Sequence, residues 1–295
     1  MRLIVTGAQG QVARALAERG PAAGVEIVCV ARPDLDLAKP ESVAPALGDA
    51  AGDAIVNAAA YTAVDKAESD EAAALAVNRD GAEAVARVAR SRGLPLLHLS
   101  TDYVFDGRLK RPYREDDEVR PASAYGRSKL AGERAAMAAN ERTIVLRTSW
   151  VYSPFGSNFV KTMLRLAKTR DEIGVVADQR GAPTSAFDIA DALIVVARAA
   201  IAGGDRHKGV FHMTGAGEAT WADFAAAIFE ESARLGGPTA RIRPIGTADY
   251  PTPAKRPANS RLSNAKFIKT FGHELPEWRG SLKACVARLL AGERE

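Results

Sequence analysis

Tyr125 and Lys129 stand four residues apart in the string Tyr125-Gly126-Arg127-Ser128-Lys129. On a helix that spacing projects both side chains from one face. A phenol with the ordinary pKa of about 10 is a poor proton carrier at neutral pH. A neighbouring ammonium favours the phenolate, so the pair is expected to bring the tyrosine pKa down toward a useful range. Thr101, just past the apolar run Leu96–Ser100, offers a hydroxyl to the same reacting oxygen. Phenol, ammonium and hydroxyl together suit proton transfer at a carbonyl oxygen. A Tyr-x-x-x-Lys pair alone is common on amphipathic helices and gains meaning only from what precedes it.

What precedes it is a phosphate-binding turn. Thr6-Gly7-Ala8-Gln9-Gly10-Gln11-Val12-Ala13 follows a short apolar run and opens an Ala-rich helix candidate. Gly7 permits the tight turn, Gly10 lets backbone approach a pyrophosphate, and Ala13 allows close packing of helix on strand. The N–H groups at the helix start, at Gln11 and Val12, then face the phosphates. The second strand candidate ends at Val30-Ala31-Arg32, without the acidic residue that binds ribose hydroxyls. Arg32 suits a 2′-phosphate instead, which favours NADPH over NADH. Asp36 and Leu37 are expected along the adenine edge. The third strand candidate runs into Asn57-Ala58-Ala59-Ala60-Tyr61-Thr62, where small residues admit a cofactor and Ala60, Tyr61 and Thr62 are candidate contacts.

These groups need a scaffold that brings strand ends together. The runs Leu3–Thr6, Glu26–Val30, Ala54–Asn57, Leu96–Ser100 and Thr143–Arg147 are short, apolar and not strictly alternating, as buried parallel strands are. Between them Gln11–Arg19, Glu71–Arg92 and Tyr125–Asn140 are rich in helix formers. The alternation predicts an α/β fold, a Rossmann-like doubly wound parallel sheet with a smaller C-terminal substrate-binding lobe. Residues 1–150 are expected to form the dinucleotide-binding domain. Residues 151–295 are expected to be mostly the substrate lobe, with some segments returning to the first domain. Helix candidates there are Phe159–Lys168, Phe187–Ala202 and Trp221–Arg234, and the Pro-rich stretch 251–257 is expected to be loop.

Composition excludes several classes. The chain has 295 residues, 47% hydrophobic and 26% charged, with a formal charge of +4 and no long basic cluster, so nucleic acid is not an expected partner. Cys29 and Cys285 cannot build a disulfide framework or a thiolate metal site, and a reducing cytoplasm is the expected compartment. The start shows no signal-peptide pattern, and no apolar run is long enough to span a bilayer, so no membrane partner is expected. His98, His207, His212 and His273 lack metal-ligand spacing.

Gly7-x-x-Gly10-x-x-Ala13, Asn57-Ala58-Ala59-Ala60, Ser100-Thr101 and Tyr125-x-x-x-Lys129 together resemble the extended short-chain dehydrogenase/reductases, which often act on nucleotide sugars. Longer strings at 57–68, 100–107, 125–133, 147–152, 178–184 and 256–262 resemble the reductases of dTDP-linked 4-keto sugars. The resemblance implies hydride delivery from NADPH or NADH to C4 of dTDP-4-dehydro-β-L-rhamnose, with a dTDP-sugar as the small-molecule partner. It gives Tyr125 the proton, Lys129 the nicotinamide ribose, and Thr101 the carbonyl. Trp150 becomes a wall of the sugar pocket, with Thr62, Val64 and Asp102 on the substrate side. Arg256 and the Asp178-Gln179 loop are assigned to the diphosphate end, and Asn78 to a structural role or a proton relay, the structural role being preferred. Some members dimerise through Mg²⁺ held by glutamates. Two of those positions read Ala15 and Phe187 here, so a homodimer stays open while its metal bridge is disfavoured.

Two rival readings stand beside this one. A related dehydratase or epimerase is the first, although dehydratases place an Asp-Glu pair after the threonine and Thr101 is followed by Asp102-Tyr103. The second is a non-catalytic regulatory subunit similar to the methionine adenosyltransferase β subunit, against which Thr101, Tyr125 and Lys129 are all intact.

Overall fold

The computed structural model describes residues 1–203 and 207–292. Five apolar runs become strands β1 (Arg2–Thr6), β2 (Glu26–Val30), β3 (Ala54–Asn57), β4 (Leu96–Thr101) and β5 (Thr143–Thr148). A sixth strand, Gly209–His212, adds beside β5, so the sheet runs Gly209–His212, β5, β4, β3, β1, β2. Every pairing in it is parallel. The strand order reverses at β1, and the C-terminal ends of β1 and β3 open the crevice where such sheets bind ligands.

The helices follow in chain order. They are α1 (Gln11–Ala22), α2 (Val43–Gly48), α3 (Val64–Ala67), α4 (Glu71–Leu75), α5 (Ala82–Ser91) and α6 (Ala124–Ala139). Beyond the first five strands come α7 (Phe159–Ala167), α8 (Ala186–Ala202), α9 (Trp221–Arg234), α10 (Ala265–Phe271) and α11 (Trp278–Ala291).

The two-residue period of the strands divides the core between two faces. Leu3, Val5, Val56, Leu97 and Leu146 pack under α1 and α8 through Leu16, Ile189, Leu193 and Ala197. Ile4, Ile55 and Leu96 pack on the other face with Val43, Leu47, Val85 and Ala89 from α2 and α5. Each fully buried Leu, Ile or Val among them contributes about 1.5–3 kcal/mol. A third core lies in the later part of the chain, where α7, α9 and α11 cover strand Glu172–Val176 and its parallel partner Arg241–Ile245. The doubly wound α/β architecture is therefore the one the alternation predicts. The 251–257 stretch carries neither helix nor strand.

One predicted helix is not continuous. Glu71–Arg92 folds as α4, a wide π turn over Ala76–Gly81, and α5. Asn78 in that turn accepts the Tyr61 N–H at 2.9 Å and donates to the Tyr61 carbonyl at 3.1 Å and the Ser128 hydroxyl at 2.9 Å. The widened turn delivers those bonds, as π bulges often do near functional sites. Cys29 and Cys285 are free thiols. Among the described residues no helix is long and apolar enough to cross a membrane, and no group of three His, Cys, Asp or Glu side chains could hold a metal ion.

Candidate active site

Gly7 takes a positive φ of 86°, which a side chain would resist, and its N–H donates to the Val30 carbonyl at 2.7 Å. Gly10 caps α1 without any side-chain bond, and open space lies where its Cβ would be. The first N–H groups of α1 thus face a cleft with no protein acceptor at the cap, an arrangement that fits a pyrophosphate. Thr6 binds the neighbouring strand end. Its hydroxyl donates to Asn57 Oδ1 at 2.7 Å and accepts the Ala58 and Ala59 N–H groups, each at 3.1 Å.

Val12 and Leu37 are buried, Asp36 is half-buried, and Arg32 lies exposed just past β2. Asp36 Oδ1 accepts the Ala38 N–H at 3.1 Å. The Gln11 side chain is engaged within the protein. It accepts from Ser153 at 2.7 Å and Asn158 at 3.0 Å, tying the start of α1 to the 151–158 segment. Only the backbone of Gln11 remains for a phosphate.

At the end of β4 the structure brings the expected trio together. Ser123 caps α6 by accepting the Gly126 N–H, and a Cβ on Gly126 would fall 2.2 Å from the Tyr103 carbonyl oxygen. Tyr125 is therefore seated tightly beside Tyr103, ring edge to ring face at 5.6 Å. Tyr61, Val64 and Tyr103 pack around it. Thr101 is the last residue of β4. Its hydroxyl donates to Asp102 Oδ1 at 3.0 Å, accepts the Tyr103 N–H, and lies against the Tyr125 hydroxyl. Lys129 is buried and donates from Nζ to the Leu99 carbonyl at 2.7 Å.

The electrostatics correct one expectation. Burial pushes the Tyr125 phenol up, not down, and the Thr101 hydroxyl offsets only part of that. Removal from water penalises the phenolate, and the Lys129 ammonium is engaged by the Leu99 carbonyl. Burial brings Lys129 itself down to about 8, opposed by the charge of Glu133. Asp102, also buried, is pushed up to about 7, and its Oδ2 has no partner among the described residues.

Trp150 follows β5 with a positive φ of 49°, rare for a bulky residue. Its indole stacks on Trp221 with centroids 3.6 Å apart, and Gly181 lies so close that a Cβ there would sit 2.4 Å from the ring. Thr62 is exposed and Ala60 half-buried on the loop after β3. Arg256 and the Asp178-Gln179 loop have separate partners. Arg256 pairs with Asp65 at 2.9 Å, whereas Asp178 and Gln179 both bond to Thr247. Ala15 is fully buried, and Phe187 carries the Arg19 guanidinium over its ring at 5.1 Å.

Sequence reasoning missed Trp221, Asp65 and Glu133. Trp221 had a local signal, since Thr220-Trp221-x-Asp223 is a capping box that fixes the first turn of α9. Glu133 had a weaker one, four residues after Lys129 on the same helix.

A phosphate-ready turn on a doubly wound sheet, with Tyr125, Lys129 and Thr101 gathered at one strand end, defines an NAD(P)-dependent oxidoreductase of the extended short-chain dehydrogenase/reductase type. More narrowly, the chain belongs to the family described as RmlD substrate binding domain, whose model matches residues 1–291. It is 52% identical to a dTDP-4-dehydrorhamnose reductase from Sinorhizobium fredii, over 98% of both chains. Among solved structures it is similar to a dTDP-4-dehydrorhamnose reductase from Clostridium acetobutylicum, with TM-score 0.90, 39% identity and coverage of 98% of this chain and 100% of that one. A dTDP-4-dehydrorhamnose reductase from Bacillus anthracis in complex with NADP matches with TM-score 0.88 and 32% identity over 97% of this chain and 99% of that one.

Proposed function

We propose that this chain reduces the C4 keto group of dTDP-4-dehydro-β-L-rhamnose to give dTDP-β-L-rhamnose. The observation that carries the reading is the buried Tyr125 side chain beside Thr101, one helical turn from Lys129, in a chain so similar to reductases of that name. NADPH or NADH is the reductant, and exposed Arg32 together with the NADP-bound relative favours NADPH. Neither Ala15 nor Phe187 can ligate the family's Mg²⁺, which argues against a metal-bridged homodimer. The compartment is the cytoplasm.

The backbone at Gly7, Gly10, Gln11 and Val12 holds the pyrophosphate. Arg32, Asp36 and Leu37 border the adenosine end, and Ala60, Tyr61 and Thr62 border the nicotinamide half. When bound, the nicotinamide supplies hydride to the keto carbon. Tyr125 gives its proton to the oxygen that becomes the C4 hydroxyl. A phenol held up by burial stays protonated at neutral pH, which suits a donor, and an alkoxide is basic enough to take that proton. Lys129 then stabilises the phenolate left behind and holds the nicotinamide ribose. Thr101 donates to the same oxygen and orients it. Trp150, Val64, Thr62 and Asp102 contact the sugar, and Arg256 meets the diphosphate, where a guanidinium binds phosphate oxygens in pairs. Residues 1–150 form the dinucleotide half and residues 151–295 mostly the sugar-nucleotide half, with α8 and Gly209–His212 on the first sheet.

The test is NADPH oxidation with the 4-keto sugar nucleotide, the product identified by NMR. Stoichiometric dTDP-β-L-rhamnose supports the reading. Absence of oxidation with this substrate overturns it.

A further inference from the structure

Glu133 lies on α6 four residues beyond Lys129, with 1% of its side chain exposed. An ionised carboxylate in such a place is costly unless its oxygens are paired. Here they are. The Ser100 hydroxyl donates to Oε1, and Arg147 adds Nε at 2.9 Å and Nη2 at 2.7 Å. Ser100 and Arg147 are register partners on β4 and β5, so one carboxylate ties α6 to both strands just below Thr101. An apolar set of equal volume would hold the helix without desolvating three polar groups, so the charge calls for a reason beyond packing.

That reason is the local charge balance. Lys129 and Arg147 are two buried cations; Glu133 pairs directly with Arg147, and it stands one helical turn from Lys129, whose Nζ bonds to the carbonyl of Leu99, the residue before Ser100. Among the other titratable groups around the site, Tyr125, His98 and His212 carry no charge near neutrality, and Asp102 alone ionises there, in the unmutated protein and in a Glu133 variant alike. On α6 there is Tyr125, held protonated by burial. On β4 there is His98, driven well toward its neutral form by burial and by Lys129 itself. Asp102, at the end of β4, is raised to about 7 and engages Thr101. His212, on the strand beyond β5, is driven to about 3 by burial and by Arg147.

We propose that Glu133 is a positioning residue, which keeps Lys129 in its ammonium form beneath Tyr125 by setting one negative charge between Lys129 and Arg147. The role rests on the reductase reading for its use in turnover. Its test does not, because binding of NADPH alone reports on it.

Glu133→Gln keeps volume and hydrogen-bonding atoms and removes the charge. The measurements are kcat/KM and the Kd for NADPH, the latter from quenching of tryptophan fluorescence, across the neutral to alkaline range. The alkaline limb of both profiles should move down by about one pH unit. The deficit should be smallest at the acid end, where Lys129 is charged in either protein. A uniform loss at every pH, with both limbs where the unmutated protein has them, overturns the proposal and leaves Glu133 a packing residue. If Glu133→Gln fails to fold, Glu133→Gln with Arg147→Met removes both opposing charges together. Limbs back near their original positions then support the proposal, and limbs that stay low contradict it. An unmutated protein that binds NADPH but leaves the dTDP-sugar unreduced defeats the functional reading alone.

Discussion

Arg256 and Asp65, 191 residues apart in the chain, form an ion pair at 2.9 Å beside the loop that leads from β3 into α3. Asp65 also accepts the Ala254 N–H, so one carboxylate anchors the Pro-rich segment next to the strand ends. The proposed diphosphate contact would set a phosphate in competition with Asp65 for the guanidinium. Replacing Arg256→Ala removes charge-assisted bonds worth about 1.5–3 kcal/mol. The KM for the sugar nucleotide is expected to rise about tenfold to a hundredfold with kcat little changed. Asp65→Asn should lower KM by freeing Arg256. Steady-state kinetics with an unaltered KM in Arg256→Ala would remove the phosphate role.

Thr101 has one hydroxyl hydrogen, which goes to Asp102. Bound ketone offers a second acceptor beside Tyr125. Thr101→Val should cut kcat by about a hundredfold, the usual loss for a donor aimed at developing negative charge. Thr101→Ser should recover most of it. Equal kcat values for Val and Ser would mean that the hydroxyl plays no part.

Gly181 leaves room for the Trp150 indole, and a methyl group there would overlap the ring. Gly181→Ala should push Trp150 off Trp221 and lose stacking worth about 0.5–1.5 kcal/mol. A fall in Tm together with a raised KM for the sugar nucleotide is the expected outcome. Trp221→Ala should raise KM through Trp150 while leaving NADPH affinity unchanged. Calorimetry and kinetics on both variants decide the matter, and an unshifted KM in both would make the stack purely structural.

Asp102 gives a pH dependence with a definite sign. Burial raises its carboxyl from the ordinary range to about 7, so the folded chain holds that proton where the unfolded chain releases it. Folded protein therefore binds more protons between the ordinary carboxylate pKa and about 7, and stability contributed by this group falls as pH rises through that window. Asp102→Asn should raise Tm more in mildly alkaline buffer than in mildly acidic buffer. A Tm difference independent of pH would contradict the burial argument.

The strands carrying the site were legible because each is a short apolar run bounded by a turn, and β2 and β3 fold over the very residues predicted. Tyr125 and Lys129 were legible as a helical spacing, and Gly7 as a turn that demands positive φ. The break at Asn78 was not, because its cause lies in Tyr61 and Ser128, distant in sequence and brought close only by folding. The strand Gly209–His212 is four residues long and pairs with β5 from sixty residues away, so no local pattern marks it. The direction of the Tyr125 shift was misjudged for the same reason. A sequence shows the ammonium nearby but not the loss of water around the phenol. Glu133 and Arg147 likewise read as an ordinary helix acid and an ordinary strand cation until the sheet joins them.

The central claim is that the Tyr125 hydroxyl supplies the proton that turns the C4 ketone into an alcohol. Its most direct test is single-turnover oxidation of NADPH by Tyr125→Phe with the 4-keto sugar nucleotide, alongside the NADPH Kd of the same variant. The account predicts a loss of at least about a hundredfold in the chemical step, with affinity for NADPH within a few-fold of the unmutated protein. Single-turnover oxidation at the unmutated rate would contradict it.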